Sequence, residues 1–371
     1  MIDRRLIINF DLKFFLVMFL IAGIGLLCIY SVTAPQKTAG FPLYLKQFFW
    51  IGLGLAFFLG IILVDYHNLC RYAYLFYGIS LGLLVIVDLV GRVGQGAQRW
   101  ISLGFFDLQP SELLKLSLLL VLAKDFSGRS SRHGLGLTQL PIPILMVAAP
   151  VLLVLKQPDL GTALAISFMF MVMVLLVGPK SRLVIFGFLV SLMLFPFFWH
   201  FFWHSLKDYQ RDRLLTFLNP MADPLGTGYH IIQSKIAIGS GGLIGKGFLE
   251  GTQSQLKFLP MGHTDFIFAV FAEEWGFIGV IILLGLYLTL LLWGVEAAYK
   301  AKDPLGALLA GGAVAILVFY LAINIGMTLG VTPVVGLPLP LMSYGGSSMV
   351  TTMALLGLIM NVKMRRFMLF Y

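Results

Sequence analysis

The chain has 371 residues, 59% hydrophobic and 12% charged, with a net charge of +9 and two cysteines. A soluble domain carries about 25% charged residues, so a single water-solvated globule is excluded, and apolar runs long enough to cross a bilayer recur along the whole length. No basic run is dense enough to suggest a nucleic-acid partner, and Cys28 and Cys70 fall toward opposite membrane faces, which excludes pairing them.

The expected fold is an all-α polytopic membrane protein: one transmembrane domain over residues 1–371 with about ten helices. The spans read as 14–32, 48–64, 72–90, 110–123, 142–155, 162–177, 183–203, 266–293, 305–331 and 342–362. The first follows Arg4, Arg5 and Lys13 and is long for a signal-peptide core, so it is read as an uncleaved span. With the N-terminus inside, fourteen of the 26 Lys and Arg residues fall on the cytoplasmic side, six on short outer segments and six in one long outer loop. That bias puts both termini in the cytoplasm.

Acids collect on the outer side, several at membrane depth, where an ionisable group costs roughly 2.5–3.5 kcal/mol even on a lenient insertion scale. Such groups are paired or line a wet cavity, so a polar cavity opening outward is expected. The first polar stretch is "GAQRWISLGFFDLQPSELLK" (96–115), which contains Arg99 and sets Glu112 and Lys115 three apart on one helical face. That spacing suits an ion pair inside the start of a span. "KQPDLGT" (156–162) puts Asp159 at a helix start, where an acid meets the positive end of the helix dipole.

Between spans seven and eight, residues 204–264 form an extracytoplasmic loop far longer than any other connection. Loops of that length are usually functional. It runs through "DYQRDRL" with Arg211 and Arg213, then "GYHIIQSKIAIGSGG" and "GKGFLEGTQSQLKFLP". Short interfacial helices with Gly-rich turns between them are expected. "GSGGLIGKG" (239–247) is not a phosphate loop: Ser240 stands at the first glycine position and Gly247 at the Ser/Thr position. His200 and His204 have metal-ligand spacing but no third ligand nearby, and an interfacial role fits their aromatic span end better.

"GHTDFIFAVFAEEWGFIGV" (262–280) then sets Asp265, with His263 and Thr264 before it, at the mouth of a long apolar run. An aspartate there serves either as a helix N-cap or as a base for a reacting hydroxyl. Glu273 and Glu274 lie two turns further in and cannot both share its face. Finally "TPVVGLPLPLMSYGGSS" (332–348), which includes Ser343, is rich in proline and glycine. An irregular stretch packed against the cavity is expected.

These blocks together resemble the SEDS proteins of bacterial cell-wall synthesis, over nearly the whole chain. "GTQSQLKFLP" and the short termini are most similar to the elongation, rod-shape branch, with the division branch as the alternative. The resemblance implies a ten-span fold and a peptidoglycan glycosyltransferase that polymerises lipid II on the outer face of the bacterial inner membrane. It implies a class B penicillin-binding protein as partner transpeptidase, with other elongation-complex proteins. It maps the family's essential aspartate to Asp265 and its membrane acid–lysine pair to Glu112 and Lys115. One departure is that Met261 and Gly262 follow Pro260, where relatives commonly have Pro-Glu, so an acid that could serve a divalent cation is missing.

The chemistry agrees with that reading. A lipid-linked diphosphate donor needs cations for the leaving group, for which Lys115, Arg99, Arg211 and Arg213 are candidates, and a base for the acceptor hydroxyl, for which Asp265 is. Glu112, Asp159, His263, Thr264 and Ser343 complete the expected substrate-binding set. No cofactor is required by these residues, and a divalent cation stays open. Two other classes use the same features, a lipid II flippase and a scaffold for the partner transpeptidase. Acids concentrated on one face rather than along a through-path favour the enzyme.

Overall fold

The structure is a computed structural model that describes residues 9–33, 41–94, 97–102, 107–129, 135–187, 227–256 and 258–366, with Leu189, Arg211 and Thr216. Its helices are α1 (Leu12–Thr33), α2 (Leu43–Leu63), the short α3 (Tyr66–Arg71), α4 (Ala73–Val90), α5 (Pro110–Arg129), α6 (Pro141–Lys156), α7 (Leu160–Val177), α8 (Thr227–Ser240), the single turn α9 (Thr252–Gln255), α10 (Ile267–Tyr299), α11 (Pro304–Leu329) and α12 (Gly346–Arg365). Among the described residues six of these, α1, α2, α7, α10, α11 and α12, are long and apolar enough to cross a membrane. Nine of the ten expected spans thus have a helix. Most of the seventh, 183–203, lies outside the described residues, as do His200 and His204.

α12 sits at the centre. Every residue from Thr351 to Arg365 is buried, as expected of a helix enclosed by others. It packs closely on α2: a Cβ at Gly357 would lie 3.1 Å from the Phe58 carbonyl oxygen. α1, α2 and α4 instead expose large apolar side chains such as Leu16, Phe49 and Leu75, the faces that lipid would cover.

Charged residues assigned to one side of the membrane do meet one another. At one end of the bundle Lys363 pairs with Asp11 at 2.5 Å, Arg365 with Asp65 at 3.5 Å, and His67 bridges Asp65 and Asp303 at 2.8 and 2.7 Å. At the other end Lys156 meets Asp88 at 2.5 Å. Cys28 and Cys70 are both buried and free.

The all-α expectation misses one small feature. β1 (Arg92–Gly94), β2 (Ala97–Ser102) and β3 (Asp107–Leu108) form a three-stranded antiparallel sheet ahead of α5. The local signal was the β-prone Trp100 and Ile101 between glycines, hidden in a chain whose apolar runs are otherwise helical.

Helix α10 breaks at Gly276, where φ is 63° and ψ −167°. The "GSGGLIGKG" turn makes this break affordable. The amides of Lys246 and Gly247 donate to the carbonyls of Glu273 and Glu274 at 3.0 and 3.1 Å. The carbonyls of Gly242 and Leu243 accept from the amides of Phe277 and Ile278 at 2.9 and 3.1 Å. Backbone groups freed by a broken helix at membrane depth need such partners. The approach is close enough that a Cβ at Gly245 would lie 2.2 Å from the Glu274 carbonyl oxygen. The glycines therefore serve helix packing.

α8 departs from the expectation of an interfacial helix. Its Ser234 and Ala237 are fully buried, and Ser234 donates to the Thr328 carbonyl at 2.7 Å, so it docks on α11. Small Ser234 and Ala237, three apart on the buried face of α8, permit that close docking.

Candidate active site

Asp265 lies in the turn just before α10, half-buried. The residue capping α10 is Phe266, one position after Asp265, and it makes no side-chain cap hydrogen bond. Its surroundings come from the irregular stretch at 331–345, which stays non-helical until α12 begins at Gly346. Gly336, at φ 71°, lies beside Asp265: a Cβ there would be in ordinary contact with Oδ2, at 3.5 Å.

Three successive carbonyls of the Asp265 turn are held by neighbouring segments. His263 O accepts from the Tyr344 amide at 2.9 Å. Thr264 O accepts from the Ser343 hydroxyl at 2.6 Å, while that hydroxyl accepts from the Leu339 amide at 2.7 Å. Asp265 O accepts from Asn324 Nδ2 at 3.0 Å. Gln47 on α2 adds a further tie, donating to the Ser343 carbonyl and accepting from the Gly345 amide, each at 3.2 Å. The His263 ring meets Tyr344 edge-on at 5.9 Å. Burial pushes its imidazole below the ordinary 6.5, which favours the neutral form at pH 7.

A second polar cluster surrounds Lys115. Lys115 Nζ donates to Glu112 Oε1 at 2.7 Å and to the Tyr320 hydroxyl, and it lies 4.2 Å from the Tyr320 ring centroid. Lys115 and Glu112 are 1% and 4% exposed, so the pair expected from their spacing exists in a dry setting. Asp159 caps α7, accepting from the Thr162 amide at 3.2 Å and the Thr162 hydroxyl at 2.9 Å. Arg99 comes within 3.9 Å of Asp159 and donates to the carbonyls of Gln157 (3.1 Å) and Pro158.

Helix α11 carries contacts to both clusters. Tyr320 reaches Lys115, and Asn324, one turn on, reaches Asp265. Tyr320, Asn324 and Gln47 are site residues outside the motifs that the sequence displays. A signal existed: Tyr320, Asn324 and Thr328 recur every four residues through an apolar span, which makes one polar stripe. Gln47 in "LKQFFW" carried none.

Glu273 and Glu274 are buried to opposite partners. Glu273 accepts from Lys246 at 2.7 Å, from Thr252 at 3.1 Å and from the Gln253 amide at 3.0 Å. Glu274 accepts from Ser31 of α1. Arg211 is half-buried, and Arg213 lies outside the described residues. Among the described residues no group of three or more His, Cys, Asp or Glu side chains is placed to hold a metal ion.

A multi-pass helical bundle whose buried polar groups collect around a broken helix and an irregular strap defines an integral membrane protein with a built polar site. Residues 11–367 match the FtsW/RodA/SpoVE family, described as cell cycle protein, and the chain belongs to that family, the SEDS proteins. It is 47% identical over 293 residues to the peptidoglycan glycosyltransferase MrdB of Escherichia coli K12, covering 79% of this chain and 78% of the relative. It is 34% identical to the peptidoglycan glycosyltransferase RodA of Treponema pallidum, covering 96% and 98%. Among solved structures, one chain from a peptidoglycan synthase complex that coordinates polymerization and crosslinking superposes with a TM-score of 0.81 at 39% identity, covering 96% and 98%. The rod shape determining protein RodA of Thermus thermophilus superposes with a TM-score of 0.70 at 33% identity, covering 97% and 98%.

Proposed function

We propose that this chain is a peptidoglycan glycosyltransferase of cell elongation and rod-shape maintenance that polymerises lipid II, with Asp265 as general base. It lies in the bacterial inner membrane with both termini in the cytoplasm and the Asp265 turn on the outer face. In the reaction, an acceptor sugar hydroxyl attacks the anomeric carbon of the lipid-linked donor. The new C–O bond forms as the bond to the diphosphate breaks, the diphosphate leaves with the electron pair, and the hydroxyl proton passes to the Asp265 carboxylate. One displacement inverts the donor carbon, so one base suffices and no covalent intermediate forms.

The observation that supports this reading best is the Asp265 turn itself. A carboxylate used as a base must be held against a fixed wall, and here three carbonyls in a row are tied to other segments, with Gly336 opposite. Lys115, Arg99, Arg211 and Arg213 are the cations for the leaving diphosphate. Glu112 and Asp159 hold Lys115 and Arg99 in place, and His263, Thr264 and Ser343 shape the acceptor side. A class B penicillin-binding protein crosslinks the strands as they emerge, beside other elongation-complex proteins.

The test is polymerisation of purified lipid II by the chain in detergent, with and without a class B partner. Glycan strands that resist moenomycin are the expected product. Transfer of lipid II across vesicles without any strand formation would overturn the enzyme reading in favour of a flippase.

A further inference from the structure

We infer that Asn324 is a positioning residue for Asp265, through a contact to its backbone rather than to its carboxylate. This rests on the proposal that Asp265 is the base. Asn324 is 0% exposed near the C-terminal end of apolar α11, where burying a polar side chain is costly unless it is hydrogen-bonded; its Oδ1 has no partner among the described residues. Its Nδ2 has two acceptors, Asp265 O at 3.0 Å and Leu337 O at 2.7 Å. Both are carbonyls, so the amide orientation is fixed by chemistry: the oxygen of the side chain could serve neither.

Those two carbonyls belong to the two walls of the site. Asp265 is on the α10 side, and Leu337 follows Gly336, whose backbone faces the Asp265 carboxylate. One NH2 group therefore sets the separation of the base from the wall opposite. Ser343 does the same one residue earlier, at Thr264 O. Asn324 also shares a helical face with Tyr320, the partner of Lys115, so α11 fixes the base and the cationic cluster relative to one another. A shift of about 1 Å at a reacting group can cost ~10²-fold in rate.

A buried asparagine also contributes to stability, and the structure supplies a matched control. Asn361 on α12 is equally buried, and its Nδ2 likewise donates to two carbonyls, Ile61 O and Val64 O, the latter at 2.6 Å. It belongs to the end of the bundle that holds Arg365 and Asp65, away from Asp265.

The experiment compares Asn324→Leu, Asn361→Leu and Asp265→Asn, each purified with lipid II as substrate, by kcat, KM and thermal midpoint. Asn324→Leu is expected to lower kcat ~10–100-fold with KM within about twofold of wild type. Asn361→Leu is expected to lower the thermal midpoint comparably and leave kcat within about twofold. Should Asn324→Leu fail to fold, Asn324→Ala replaces it, with the same loss in kcat expected. If Asp265→Asn is inactive but Asn324→Leu, or its replacement, keeps wild-type kcat, the positioning role is overturned and the base survives. If Asp265→Asn retains near-wild-type rate, the base assignment fails and the positioning role falls with it.

Discussion

Removing one member of the Glu112–Lys115 pair should cost more than removing both. At 2.7 Å the gross attraction is about 6 kcal/mol at an effective dielectric near ~20, and losing one partner of a buried pair typically costs about 3–5 kcal/mol. The two single variants should differ. In Glu112→Gln, Lys115 keeps the Tyr320 hydroxyl and ring, a desolvated cation–π contact worth about 2 kcal/mol, and the new amide oxygen can still accept from it. In Lys115→Met, Glu112 loses the one cation that is paired with it among the described residues. We therefore expect losses of about 4 kcal/mol for Lys115→Met and about 2–3 kcal/mol for Glu112→Gln, with the double variant within ~1–2 kcal/mol of wild type. Equilibrium unfolding in detergent micelles, run as a double-mutant cycle, measures this. Additive losses, with a coupling below ~0.5 kcal/mol, would refute the reasoning.

Two further expectations follow from the α10 region. Gly276→Ala forces a left-handed φ on a side chain and sets its Cβ 2.3 Å from the Gly245 amide nitrogen, so it should cost at least ~2 kcal/mol. Gly285→Ala, later in the same helix with nothing within 4 Å, should instead stabilise by ~0.5–1 kcal/mol in the same unfolding assay. His263 gives a pH signature: burial lowers its folded-state pKa from 6.5, so just below that pH the unfolded chain binds more protons than the folded one. Stability should then fall as pH drops through about 6.5 and flatten above it. His263→Gln should remove that part of the acid sensitivity, and an unchanged pH profile would refute it.

The sequence made the bundle legible because its signals are local. Long apolar runs, charge bias at their ends and the i,i+3 spacing of Glu112 and Lys115 each require one segment only. Prolines at 333, 338 and 340 likewise forecast the irregular strap, since each removes a backbone donor. What stayed hidden depends on two distant segments meeting. The glycines of 239–247 looked like a failed ligand loop because their partner, the break at Gly276, lies thirty residues on. Asn324 and Gln47 looked incidental because their acceptors come from other elements. Lys246 and Ser31 carried no sign that buried glutamates would claim them. Hydrogen bonds between a side chain and a remote backbone carbonyl leave no periodicity to read.

The central claim is that Asp265 takes the proton of the attacking hydroxyl, and one substitution isolates it. Asp265→Asn keeps the size of the side chain and leaves the backbone carbonyl available to Asn324, while removing the basic oxygen. Glycan strand formation from lipid II by the purified variant, with its partner present and folding checked by thermal midpoint, is the direct measurement. The account predicts a folded protein whose rate falls by ~10²–10⁴-fold. Strand formation at near-wild-type rate would contradict it.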